Sequence, residues 1–111
     1  MNVEPNLAVD VGGIRMKNPV IAASGCYGYG SSYSAFYPPS LLGAVVVKGL
    51  YRDPCKGNPP PRIVETPAGM LNAVGLEGPG VEAFIRNELP ELRKLNATII
   101  VNVAGHDVEE Y

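Results

Sequence analysis

Ala44-Val45-Val46-Val47-Lys48-Gly49 is the stretch on which the fold turns. Its apolar residues follow one another without alternation and stop at a lysine. Such a run offers no polar face to water and is too short for a helix, so it predicts a strand covered on both sides. Two other stretches have the same form. Val20 to Ala23 is wholly apolar and ends in Ser24-Gly25, and Thr98 to Val103 is apolar apart from Asn102 near its end.

What lies between these runs completes the pattern. A small glycine-rich loop, Cys26 to Gly30, is followed by a predicted short helix from Ser31 to Tyr37. A serine caps it and Pro38-Pro39 stops it. A second short segment, Ser40 to Leu42, leads to Gly43. After Gly80, the residues Val81, Phe84, Ile85, Leu89, Leu92 and Leu95 fall near one helical face. Pro90 divides that pattern into two expected helical pieces, the second with Pro90 in its first turn; Asn96 is the expected stop. Asp107-Val108-Glu109-Glu110 reads as another helix start, with an Asp cap and a Glu three residues on. At the other end Leu7, Val9 and Val11, then Gly12-Gly13, then Ile14 and Met16 read as a β-hairpin broken by Asn18-Pro19.

Between Lys48 and Gly80 sits the long stretch GNPPPRIVETPAGMLNAVGL, residues 57–76. Three prolines hold its first leg extended. Thr66-Pro67-Ala68-Gly69 is a turn signal, and the return leg is apolar apart from Asn72. A long loop containing its own hairpin is usually functional, and a lone carboxamide near a close-approach glycine suits a small planar polar ligand.

The order is hairpin, β, α, β, long loop, α, β and the beginning of an α. Apolar strands separated by helices imply a parallel sheet with right-handed crossovers. A (β/α)8 TIM barrel and an open doubly wound sheet both meet that order. Each strand carries its polar residue (Ser24, Lys48, Asn102) at its C-terminal end, where either fold builds its site. The absence of GxGxxG or a P-loop after the first strand disfavours the dinucleotide-binding sheet. The expected fold is therefore α/β: the N-terminal part of a TIM barrel, with an N-terminal hairpin and a long hairpin loop after the second parallel strand. Residues 1–111 form one domain, truncated before the fourth βα unit, since a barrel needs about 250 residues.

Composition narrows the function. A net charge of −2 argues against nucleic acid. The two cysteines form no metal-ligand spacing and there is one histidine, so no metal site is expected. Two free thiols fit a reducing cytosol. No apolar run approaches the roughly 20 residues of a membrane span, and the acidic N-terminus is no signal or transit peptide. These readings predict a soluble cytoplasmic protein.

Four segments carry more than pattern: NPVIAASGCYGYG (18–30), VVVKG (45–49), GNPPPRIVETPAGMLNAVGL (57–76) and IIVNVAG (99–105). In order and spacing they resemble the N-terminal part of dihydroorotate dehydrogenases, specifically the class 1B, NAD-linked catalytic subunit. The resemblance runs from about Leu7 to Tyr111. It implies an FMN barrel that oxidises dihydroorotate to orotate in pyrimidine biosynthesis. It also implies a partner subunit with FAD and a 2Fe-2S cluster that passes electrons to NAD, and a homodimer core within a heterotetramer.

Carried onto this chain, the resemblance implies FMN contacts at Ala23, Ser24, Gly25, Lys48, Gly49 and Asn102. Substrate contacts are implied at Lys48, Asn72, Ala73, Val74, Gly75 and Leu76. Each has a plainer reading. Lys48 on its residues alone is either a fixed cation, costly to bury unpaired, or a strand-end lysine snorkelling to solvent. Ser24-Gly25 alone is a turn, Gly49 an ordinary glycine after a strand, Asn102 a loop cap and Asn72 a turn-satisfying amide. Cys26 and Cys55 do not match the family's catalytic cysteine, so the base is expected beyond Tyr111 and no catalytic residue is assigned here. His106 reads as structural. Tyr27, Tyr29, Tyr33 and Tyr37 are expected to pack over the barrel mouth or toward a partner. The rival functions are another FMN barrel acting on pyrimidines, such as dihydropyrimidine dehydrogenase, and a short non-catalytic binding or assembly module. The 111-residue chain alone is expected to be inactive and to bind FMN weakly or not at all.

Overall fold

A computed structural model describes residues 5–29 and 32–111 and shows a mixed α/β architecture. β1 (Val9–Val11) and β2 (Ile14–Met16) form the expected antiparallel hairpin, Val9 opposite Met16 and Val11 opposite Ile14. Gly12 and Gly13 turn it with φ of 59° and 86°, the double positive φ that a two-residue hairpin turn demands.

The centre is a parallel sheet of β3 (Ile21–Ala22), β4 (Ala44–Val46) and β7 (Ile99–Ile100), in spatial order β3-β4-β7. Ile21 pairs with Ala44, Val45 with Ile99 and Val46 with Ile100. The regular ladders are shorter than the apolar runs that produce them. Burial is deep only along the middle run, where Ala44, Val45 and Val47 are inaccessible and Val46 is partly exposed, whereas Val20 and Val103 are each 57% exposed. The expectation that all three runs are covered on both faces is corrected here. An outer strand has a neighbour on one side only, and the helix that follows the long loop packs on Val47 and Leu50, just past the end of β4.

That helix departs from the sequence reading in a second way. α1 (Val81–Ala83) and α2 (Leu89–Lys94) are not separate pieces; a π-helical turn, Phe84–Glu88, joins them. Pro90 has no N–H to continue the α ladder, and the Leu89 N–H reaches five residues back to the Phe84 carbonyl. The turn absorbs one extra residue. In an unbroken α-helix Phe84 and Leu92 would stand about 80° apart around the axis; with one residue taken up they come within about 20°. Phe84 and Leu92 accordingly share one core with Val47 and Leu50, flanked by Tyr29, Leu89 and Ile99. Ile85, expected on the buried face, is 55% exposed. Asn96, at φ 53°, ends the helical run as anticipated.

Elsewhere, residues 32–36 form turns rather than the expected helix, with the N–H groups of Phe36 and Tyr37 both bonded to the Tyr33 carbonyl. Ser31, the expected cap, lies outside the described residues. Pro38 forces the chain out of helical space after one turn, and Pro39 opens a 3₁₀ turn, Pro39–Leu41. The long loop contains its hairpin, β5 (Ile63–Thr66) and β6 (Gly69–Asn72), exposed throughout. The last expected helix is a 3₁₀ turn, Val108–Glu110. Asp107 caps the Glu110 N–H, while the Glu110 carboxylate takes the N–H of His106.

Candidate functional site

The C-terminal ends of the three parallel strands meet at one rim. Sheet pairing continues beyond the regular ladder: the Val47 N–H bonds the Ile100 carbonyl and the Leu50 N–H bonds the Asn102 carbonyl. Three steps along one strand thus match two along the other. The surplus residue is a bulge at Lys48-Gly49, the kind of irregularity that re-aims a side chain at a barrel rim. Over this bulge the Asn102 side-chain amide donates to Ser24 Oγ at 3.2 Å. The bond joins the two outer strands across the end of the middle one. Gly49 lies beneath it: an added Cβ would sit 3.7 Å from Asn102 Nδ2 and 3.4 Å from Ala104 Cβ. Those are ordinary contacts, so the described residues do not themselves demand a glycine there.

Lys48 is half-buried and, among the described residues, makes no hydrogen bond or ion pair. With Gly25 it lines a cavity of about 550 Å³ whose other walls include Tyr29, Cys55, Lys56, Glu77 and Gly78. Tyr29 stands apart from the other tyrosines of the expected cluster. Its ring packs on Phe84 with centroids 6.0 Å apart, and its hydroxyl is buried without a partner among the described residues. Burial pushes its pKa up, and the neighbouring acidic groups Glu88, Cys55 and Glu77 push the same way. Tyr27 and Tyr33 do cluster, at 5.7 Å. A second hollow, about 460 Å³, lies between Arg52-Asp53-Pro54 and the start of α1 and holds none of the cofactor- or substrate-contact residues expected from the sequence.

Residues 72–76 form the far leg of the long loop. Asn72 is exposed at the base of the β5–β6 hairpin, opposite Ile63, and neither it nor Ala73, Val74, Gly75 or Leu76 lines the Lys48 cavity. A strap of residues 55–58 holds this leg. Cys55 and Gly78 exchange backbone hydrogen bonds, both 2.9 Å. The Asn58 N–H donates to the Val74 carbonyl at 3.0 Å, and its side-chain amide to the Ala73 carbonyl at 2.9 Å. Gly75 is forced: its φ is 80°, and a Cβ would stand 2.6 Å from Asn58 N. Arg62 locks the strap, donating to the carbonyls of Asn58 (2.6 Å) and Lys56 (2.8 Å) and pairing with Glu77.

The structure therefore gathers Ser24, Gly49 and Asn102 at the rim, with Lys48 and Gly25 on the adjoining cavity. Ala23 is exposed, its carbonyl accepting from the Cys26 N–H. Tyr29, Asn58 and Arg62 were not singled out as functional residues. The motif GNPPPR held the signal for the last two, but their partners lie about 15 residues along the chain. Cys26 and Cys55 are free thiols, and the His106 ring stacks on Tyr51 at 4.5 Å. No cluster of three metal-ligating side chains occurs among the described residues, and none of their helices is long and apolar enough to cross a membrane.

Known proteins share both the sequence and the fold. The catalytic subunit of dihydroorotate dehydrogenase B (NAD(+)) from Thermoanaerobacter pseudethanolicus is 55% identical over 106 residues, covering 96% of this chain and 35% of the relative. That of Geotalea uraniireducens is 50% identical over 108 residues, covering 97% and 35%. The chain spans about a third of the length of these curated relatives. Among solved structures, Eimeria tenella dihydroorotate dehydrogenase, in complex with ferulenol, superposes with a TM-score of 0.59 at 24% identity, over 92% of this chain and 29% of that one. The likeness supports the fold. The dihydroorotate dehydrogenase family model matches residues 6–111, and the chain belongs to that family.

Proposed function

We propose that these residues form one wall of the active site of an FMN-dependent enzyme that oxidises dihydroorotate to orotate in pyrimidine biosynthesis. In this reading residues 1–111 are the first part of a TIM barrel. The observation that carries it is the rim itself: a half-buried lysine without a partner among the described residues, beside a carboxamide–hydroxyl bridge that spans the strand ends.

The residues present fit a flavin. Gly49 keeps open a space that a Cβ would fill without clash, and Gly25, at φ 80°, has nothing within 4 Å of its would-be Cβ. Lys48, Ser24, Asn102 and the backbone of Ala23, Gly25 and Gly49 would hold the cofactor, which supplies a two-electron hydride acceptor. Lys48 would offset anionic charge on ligand and cofactor. Asn72 can both donate to and accept from the amide edge of the pyrimidine ring, and the N–H groups of Val74, Gly75 and Leu76 take the carboxylate. The proton leaving the substrate goes to a base supplied from beyond residue 111.

The relatives are named as catalytic subunits of an NAD(+)-linked enzyme, which supports electron passage to NAD through a second subunit; the reading extends to a cytoplasmic homodimer core whose partner subunit carries FAD and a 2Fe-2S cluster. The test is an assay of the complete enzyme with its partner subunit on dihydroorotate and, in parallel, on uracil with NADH. Turnover of dihydroorotate with NAD is expected. Preferential turnover of uracil would transfer the site to a dihydropyrimidine dehydrogenase-like reaction and overturn the assignment.

A further inference from the structure

Three consecutive carbonyls of the far leg are tied to the strap. Asn58 Nδ2 holds that of Ala73 and Asn58 N that of Val74, and Cys55 Sγ lies 3.6 Å from that of Gly75. The peptide units between residues 73 and 76 are trans. In a planar trans unit the N–H points opposite to the C=O. The N–H groups of Val74, Gly75 and Leu76 must therefore all face away from the strap. Among the described residues none of the three has a hydrogen-bond partner. An extended strand would alternate its carbonyls; here they share a side, which the positive φ of Gly75 (80°) and Leu76 (54°) permits.

We propose that Asn58 is a positioning residue for carboxylate recognition. By capturing two adjacent carbonyls on one side, it presents two adjacent N–H donors on the other. Three further bonds keep it in place: Arg62 Nε on its carbonyl, Arg62 Nη2 on the Lys56 carbonyl, and the Arg62–Glu77 pair. An uncharged side chain that touches no ligand thereby sets affinity for an anionic one. The inference rests on the functional reading above, and it predicts a selective defect that loss of a flavin or of the fold would not produce.

The experiment compares orotate with its neutral methyl ester by calorimetry on the complete flavin-loaded enzyme, for the natural protein, Asn58→Ala and Asn58→Asp. Loss of one net hydrogen bond corresponds to roughly a 3- to 10-fold effect. Orotate affinity is expected to fall by at least that factor, more in the isosteric Asn58→Asp, which cannot donate. Affinity for the ester should change less than about twofold, and KM for dihydroorotate should rise with little change in kcat or flavin spectrum. If the natural protein does not prefer orotate over the ester, the reading of the site fails. If it does and both variants keep that preference, or weaken both ligands alike, the role given to Asn58 fails alone. Failure of both variants to fold would also overturn that role, making Asn58 a folding residue.

Discussion

Lys48 stands where a β-strand delivers a charge to the edge of the core and then bulges. Its neighbour Val47 is inaccessible, yet its own ammonium has no carboxylate within reach among the described residues. A cation held in that way costs stability unless a ligand completes it. Lys48→Ala is therefore expected to lower kcat/KM for dihydroorotate by about 100-fold or more; steady-state kinetics on the complete enzyme checks this. Lys48→Arg should not restore activity, because the planar fork does not replace a compact point charge. Tyr29 makes a different prediction. Its hydroxyl is buried and has no partner among the described residues, although the residue as a whole is partly exposed. Tyr29→Phe should leave the urea midpoint unchanged or raise stability by up to about 1 kcal/mol, since it removes an unsatisfied group. The folded pKa of Tyr29 lies above its ordinary 10.0, so the neutral phenol is the form the fold favours. The associated stability is complete below pH 10 and declines as pH rises through the folded value. Tyr29→Phe should remove that alkaline decline, as denaturant titrations on either side of pH 10 would reveal.

Among the elements, the helix over residues 81–94 shows how periodicity can mislead without being absent. Val81, Phe84, Ile85, Leu89, Leu92 and Leu95 fit one face only if the helix is regular. The π turn re-phases it, placing Phe84 and Leu92 in the core and leaving Ile85 out. Leu92→Ala should cost about 2–5 kcal/mol, whereas Ile85→Ala should cost less than about 0.5 kcal/mol. Comparable losses at the two sites in thermal or urea unfolding would show that the turn does not exist in solution. The hairpins were legible for the opposite reason: Gly12-Gly13 and Thr66-Pro67-Ala68-Gly69 specify their turns locally, and each partner strand is only a few residues away.

At the scale of the whole molecule, the parallel sheet is covered well only at its middle strand. Val20 and Ile21 on one outer strand, and Val101 and Val103 on the other, are exposed to water. Outer strands with open edges recruit other strands. The polypeptide of residues 1–111, prepared by itself, is therefore expected to self-associate and to retain no stoichiometric FMN after gel filtration. Flavin absorbance measured on the monomer fraction checks this, and a one-to-one ratio there would contradict it.

What the sequence determined by itself is whatever depends on neighbours along the chain. The hairpin turns, the apolar runs of the parallel strands and the polar residue closing each run belong to this class, because backbone sterics and burial periodicity act over a few residues. Family membership was equally open to reading, carried by four motifs in order. Only the tertiary structure decided which of those polar residues meet. The Asn102–Ser24 bond joins positions 78 residues apart, the Asn58 clamp spans 15, and the re-phasing of the helix follows from what it packs against. Contacts of that kind arise when separate elements close on one another, and no local rule of spacing encodes which groups will then face each other.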